Sequence, residues 1–105
     1  MGEHFRSLAE VDRLIHEPAR LMIVAILSGV ESADFLYLLR ETGLTKGNLS
    51  AHLTRLEEAG YVKIEKTFRG KVPLTLCSLT DGGREAFRRY RERMRRAMDS
   101  MPEWR

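Results

Sequence analysis

One cysteine, Cys77, stands among 105 residues, so no disulfide can form within the chain and the fold rests on its core alone. That usage fits a reducing compartment. Long apolar runs are missing too. The longest, Leu21–Leu27, has 7 residues, against the roughly 18–20 that a membrane-spanning helix needs. No such helix is expected, the opening Met-Gly-Glu-His-Phe-Arg has no signal-peptide core, and the expected location is the cytoplasm. There is no glycine-rich phosphate cradle and no nucleophile in an acid/base setting, so an enzyme is not expected. His4, His16 and His52 fall in different segments and form no Cys/His or HxxxH pair, so neither a metal nor a cofactor is expected. Charge of one sign is also scarce, since 18 Lys and Arg against 15 Asp and Glu leave only +3. That is a weak pointer to an anionic partner.

What is present is enough for one core. The chain is 43% hydrophobic, and a domain of this size buries roughly two-thirds of its unfolded surface. Residues 1–105 read as a single domain without repeats. Charge is distributed unevenly along it. Residues 1–44 hold 4 basic and 7 acidic groups, 45–73 hold 6 and 3, and 84–105 hold 8 and 4. Two basic regions therefore follow an acidic beginning.

Phe5, Leu8, Val11, Leu14 and Ile15 recur every three to four residues, the spacing of an amphipathic helix that should stop near His16. Pro18 suits a first helical position and opens a second helix to Ser28, apolar on nearly every side and so expected to be central and buried. Ser32 or Asp34 caps a third helix through Arg40, Gly43 breaks it, and Thr45 caps a fourth to about Ala59, with Gly60 as the stop. The period then turns to alternation. Residues 61–66 and 74–79 read as strands, with 68–73 as the loop between them. Thr80 or Asp81 caps a last helix carrying Phe87, Tyr90, Met94, Ala97 and Met101 on one side and arginines on the other.

The order helix, helix, helix, tight turn, helix, strand, basic loop, strand, long helix is the plan of a winged helix-turn-helix, an α+β fold that is mostly helical. Residues 34–60 make the helix-turn-helix and 61–79 a two-stranded hairpin wing, with terminal helices at 1–16 and 81–105. A helix that reads DNA must be held by an apolar stripe and present small and polar side chains to the major groove. In the fourth helix Leu49, Leu53 and Leu56 form the stripe. Gly47, Ala51, Thr54 and Arg55 lie opposite, Asn48, Ser50 and His52 flank them, and Thr45 and Lys46 stand at the N-terminal end. Asn48 and Arg55 have the paired groups that discriminate bases, and the helix N-terminus favours phosphate. His52 reads as a phosphate donor. Glu57 and Glu58 fall at the end away from the expected groove. The competing reading is a solvated helix face. Arg69 and Lys71 at the hairpin tip, with Lys66 on the strand, suit a phosphate backbone or an adjacent minor groove, although charged tips also serve solubility alone.

Three stretches carry a resemblance: Leu14 to Leu21 (LIHEPARL), Leu44 to Leu53 (LTKGNLSAHL) and Leu56 to Val62 (LEEAGYV), followed by Leu79 to Arg84 (LTDGGR). In this order and spacing, across most of residues 11–90, the chain resembles the compact winged-helix transcriptional regulators of the ArsR and MarR groups. The resemblance implies a homodimer on duplex DNA. Lys46, Asn48, Ser50, Ala51, His52 and Arg55 then fall on recognition-helix positions, and Arg69 and Lys71 on the wing. The metal-sensing members carry a cysteine pair in the helix before the recognition helix, and residues 33–40 have none. Many relatives place an aromatic residue where Cys77 stands, which makes Cys77 a core substitute.

The terminal helices hold more apolar surface than a small trihelical core can cover. Phe5, Leu8, Val11 and Ile15 on one, with Phe87, Tyr90, Met94, Met98 and Met101 on the other, are the expected dimer interface. The alternative packs these stripes on each other within one subunit. The methionines also make an adaptable surface for an apolar effector. The expected function is therefore a sequence-specific, duplex-DNA-binding transcriptional regulator acting as a homodimer on an imperfect palindrome. Against it stand a winged helix that binds a partner protein and no nucleic acid, and, third, an RNA-binding role.

Overall fold

The computed structural model describes residues 5–103. Residues 1–4 of the expected first helix, His4 among them, and 104–105 at the end of the last lie outside the described residues. In chain order the elements are helix α1 (Pro18–Ser28), strand β1 (Ala33–Asp34), helices α2 (Phe35–Thr42) and α3 (Lys46–Glu58), strands β2 (Val62–Arg69) and β3 (Val72–Leu79), and helix α4 (Asp81–Asp99). The strands form one antiparallel sheet in the order β1-β3-β2. The fold is the winged helix-turn-helix that the residue pattern implied.

Each helix begins where a side chain satisfies the open N–H groups of its first turn. Glu17 accepts from the Arg20 N–H at 2.9 Å, Asp34 from Tyr37 at 2.8 Å, Thr45 from Asn48 at 3.1 Å and Thr80 from Gly83 at 3.0 Å. The turn between α2 and α3 depends on Gly43, whose φ of +71° lies in the left-handed region. The core gathers Ile15, Ile23, Leu27, Leu38, Leu49 and Leu56, all fully buried, with Cys77 from β3 among them. Leu49, Leu53 and Leu56 are the inner stripe of α3, packed toward α1 and β2. No helix among the described residues is long and apolar enough to cross a membrane.

Four expectations need correction. The helix expected to run to His16 gives out early. Ser7–Glu10 is a single 3-10 turn and Val11 is extended, with ψ 151°. Asp12 then starts a separate turn, its Oδ1 accepting from the Leu14 and Ile15 N–H groups at 2.9 and 3.2 Å. A short acidic side chain has outcompeted the helical carbonyls for those donors. Helix α1 is central, touching α2, α3, β3 and α4, but it is not buried all round. Ile23, Val24 and Leu27 face them, while Met22 and Ala25 are exposed.

The third correction concerns the hairpin loop, which is two residues and not six. Arg69 pairs with Val72 and Phe68 with Pro73, leaving only Gly70 and Lys71 in the turn. Gly70 has φ +64° and no non-glycine residue has positive φ among the described residues. Positive φ at the first turn position alone is what a type II′ hairpin requires. Pro73 is tolerated in the strand because β1 pairs only with Leu76 and Cys77. The side of β3 where its missing N–H would point has no partner there. The last correction is β1 itself, a two-residue strand that hydrophobic patterning did not reveal.

Candidate nucleic-acid interface

Helix α3 and the hairpin meet at Tyr61, the residue before β2, whose N–H donates to the Leu56 carbonyl at 2.9 Å. Its carbonyl accepts from the Thr80 N–H at 3.0 Å, and its hydroxyl donates to Asp12 Oδ2. That bond to a carboxylate is the main reason the Tyr61 phenol is pushed up to about 12. Gly83, in the first turn of α4, lies against the same peptide so closely that a Cβ there would fall 2.1 Å from the Tyr61 oxygen. The base of the wing is thus pinned to the N-terminal segment and to α4.

On this frame α3 turns its leucine stripe inward and leaves Lys46, Gly47, Asn48, Ser50, Ala51, Thr54 and Arg55 exposed. Thr45, also exposed, is the N-cap, so its hydroxyl is engaged by the Asn48 N–H. On the hairpin Lys66, Arg69 and Lys71 are exposed. Ser50, Thr54 and Glu57 of α3 line one groove together with Lys66 and Thr75 of the sheet and Phe35. The structure therefore brings Ser50, Thr54 and Lys66 onto one concave surface, whereas Arg69 lines neighbouring clefts beside Asp34 and Tyr37, and Lys71 stands in the hairpin turn. Glu57, near the C-terminal end of α3, lines the same cleft as Ser50 and Thr54.

Among the described residues, Lys46, Arg55, Lys66, Arg69 and Lys71 make no ion pair with an acid. The arginines of α4 behave differently. Arg88 and Arg89 pair with Glu85, Arg95 with Glu92 and Asp99, Arg96 with Glu92, and Arg93 with Glu10. Arg84 donates to the carbonyls of Ser28, the last residue of α1, and of Val30 just beyond it, and Arg91 lies over the Phe87 ring. The larger positive segment of the sequence is thus mostly compensated within its own helix. The smaller one, on α3 and the hairpin, is left uncompensated.

His52 departs from its expected setting. It is half-buried, and its Nδ1 lies 3.2 Å from a guanidinium nitrogen of Arg20, a residue on α1 that is only 8% exposed. Sequence reasoning singled out neither Arg20 nor this contact. The only signal was the place of Arg20 in the Glu17-Pro18-Ala19-Arg20 stretch. His16 is also tied inward, its Nδ1 lying 2.7 Å from the Tyr90 hydroxyl. The described residues contain no cluster of His, Cys, Asp and Glu suited to a metal ion. Burial pushes the Cys77 thiol up to about 11, so it stays protonated in the core.

The residues expected at a dimer interface divide. Val11 and Ile15 are 6% and 0% exposed, Phe87 and Tyr90 8% and 5%, all enclosed within the subunit. Phe5, Leu8 and Met94 are half-buried, whereas Met98 and Met101 are exposed.

A leucine-anchored helix with a small, polar outer face, beside a basic two-stranded hairpin, defines a winged-helix DNA-binding domain. Residues 19–98 match the family described as winged helix DNA-binding domain, and the chain belongs to that family. An uncharacterised protein of Methanocaldococcus jannaschii is 39% identical over 79 residues, spanning 74% of this chain and 85% of that one. A transcriptional regulator homologue from Pyrococcus horikoshii OT3 is similar in structure, with a TM-score of 0.84 and 30% identity over 90% of this chain and 95% of that one. A MarR-family regulator from Silicibacter pomeroyi has a TM-score of 0.68 and 26% identity over 94% of this chain and 66% of that one. The protein is a DNA-binding winged helix of the transcriptional-regulator kind, similar to the MarR family.

Proposed function

We propose that the protein is a sequence-specific regulator that binds duplex DNA as a homodimer, with α3 in the major groove and the β2–β3 hairpin as the wing. The observation that carries this reading is the set of cations on α3 and the hairpin that have no acid partner among the described residues, bordering a helix face of glycine, alanine, serine and threonine. Thr45, Lys46, Gly47, Asn48, Ser50, Ala51, His52, Thr54 and Arg55 supply the helix contacts, and Lys66, Arg69 and Lys71 those of the hairpin. Asn48 and Arg55 are the base readers. Lys46, Lys66, Arg69 and Lys71 hold phosphates and fix the register.

The second copy packs on the exposed Met98 and Met101, with Met94, Leu8 and Phe5 at the margin. The enclosed Val11, Ile15, Phe87 and Tyr90 support that surface from within. Two recognition helices related by a two-fold axis read an imperfect palindrome with half-sites about 10 base pairs, or roughly 34 Å, apart. The cell location consistent with this role is the cytoplasm. An apolar effector at the methionine surface is compatible with the same arrangement.

A protein-binding role without nucleic acid is the second reading, favoured by Leu36, Phe68 and Val72, which are 64%, 67% and 64% exposed. Affinity for duplex DNA measured by fluorescence anisotropy over a range of salt concentrations separates the two. A DNA-binding role gives a steep linear fall of log K with log salt. Lys71→Ala, removing one phosphate contact, lowers the slope by about 0.9. An unchanged slope in that variant refutes the wing contact, and a wild-type protein that is not retained on duplex DNA hands the surface to a protein partner.

A further inference from the structure

Among the described residues, Arg20 joins the N-terminal turn, α1 and α3. It is buried, its Nε donates to the Leu14 carbonyl at 2.6 Å, and its terminal nitrogen lies 3.2 Å from His52 Nδ1. A guanidinium has five N–H donors and no acceptor. The nitrogen of His52 that faces it must therefore carry the lone pair. In the neutral imidazole the proton is then on Nε2, for which no partner is present among the described residues. A second proton on Nδ1 would turn a hydrogen bond into a contact between two cations.

We propose that Arg20 is a positioning residue that locks His52 in the Nε2–H tautomer, making this point of the recognition surface a hydrogen-bond donor. The inference rests on the DNA-binding reading above and adds to it a chemical preference. His52 seeks an acceptor, either a phosphate oxygen or the N7 or O6 edge of a purine, and it rejects an exocyclic amino group. Arg20 achieves this without touching DNA. Its stem and head are enclosed between the N-terminal turn and α3, and its bond to the Leu14 carbonyl fixes the guanidinium from behind.

Imidazole nitrogen spectra of the free protein test the tautomer directly. The expected result is a protonated Nε2 and an unprotonated Nδ1 for His52; a proton on Nδ1, or an exchange-averaged pair, overturns the proposal. Binding to a duplex obtained by selection tests the donor. The amide of Gln reaches the position of Nε2 and supplies an N–H there, whereas the amide of Asn reaches only that of Nδ1. His52→Gln should bind within about threefold of wild type and His52→Asn roughly tenfold weaker, the worth of one net hydrogen bond. A purely structural link to Arg20 gives the opposite order, since Asn preserves a partner for the guanidinium and Gln does not. That order would sink the proposal. Both variants leave Arg20 in place, so its bond to Leu14 and the fold it supports are kept.

Neutral methylphosphonates and 7-deazapurines, placed singly in the duplex, identify the acceptor. The replacement that weakens wild type but leaves His52→Asn unaffected marks a phosphate or a purine edge, and the absence of any such replacement refutes the contact. A wild-type protein that binds no duplex refutes the functional reading and the contact with it. The nitrogen spectra then still judge the Arg20–His52 geometry separately.

Discussion

Gly83 offers a sharp test of how the wing is anchored, because Gly82 beside it serves as a control within the same helical turn. A Cβ on Gly83 would lie 2.1 Å from the Tyr61 oxygen and 2.9 Å from its carbonyl carbon. A carbon–oxygen contact normally stays beyond about 3.3 Å, so the helix and the base of the wing must separate by about 1 Å. Side-chain rotation cannot relieve a contact between two backbones. The same carbonyl also accepts from the Thr80 N–H at 3.0 Å, which the separation would stretch.

Overpacking of this kind costs about 1–3 kcal/mol and occasionally more, while replacing glycine in a helix returns up to about 1 kcal/mol. A backbone-on-backbone overlap of this depth falls at the upper end of that cost, so Gly83→Ala is expected to lose about 2–3 kcal/mol net. A Cβ on Gly82 meets nothing nearer than 3.7 Å, so Gly82→Ala should match wild type or exceed it by up to about 1 kcal/mol. Urea unfolding followed by circular dichroism measures both. Equal midpoints for the two variants would refute the claim that Gly83 exists for close approach.

Two further outcomes follow from the site. Arg55→Ala should weaken binding to the selected sequence by about 1–3 kcal/mol and relax preference at one base position; uniform weakening on all duplexes would reassign Arg55 to phosphate. The Tyr61 phenol, held at about 12 in the folded protein against the ordinary 10, has its folded value raised. The stability it contributes is fully present below about pH 10 and is lost as pH rises through about 12. The stability difference between wild type and Tyr61→Phe should therefore be constant up to about pH 10 and narrow above it, and a difference that stays constant to pH 12 would contradict the Asp12 bond.

Much of the fold was legible because its boundaries are made by residues with one conformational preference. Pro18 opened α1, Thr45 and Gly60 bracketed α3, and Gly43 marked the turn between the two helices of the reading head. The exposed face of α3 followed from the spacing of Leu49, Leu53 and Leu56 alone. What escaped the sequence depended on competition or on distance. The hydrophobic spacing of Phe5 to Ile15 fits a helix, but Asp12 takes the backbone donors and divides the segment into two turns that still face one core. Pro73 looked like loop, yet it is strand because of what does not lie beside it. Arg20 is a residue type usually found at the surface, and only the approach of α3, 32 residues on, gives it a side-chain partner in the half-buried His52. Charge totals misled in the same way. The arginines of α4 dominate the count, while their ion pairs with Glu85, Glu92 and Asp99 leave the hairpin and α3 as the uncompensated surface.

The central claim, that α3 and the hairpin read duplex DNA as a symmetric pair, is tested most directly by selecting bound sequences from random duplex DNA while the mass of the complex is measured in solution. The account predicts two copies per duplex and an enriched imperfect palindrome with half-sites about 10 base pairs apart, the enrichment vanishing when Asn48 and Arg55 are both replaced by alanine. Recovery of no common sequence, or of an asymmetric site occupied by one copy, would contradict it.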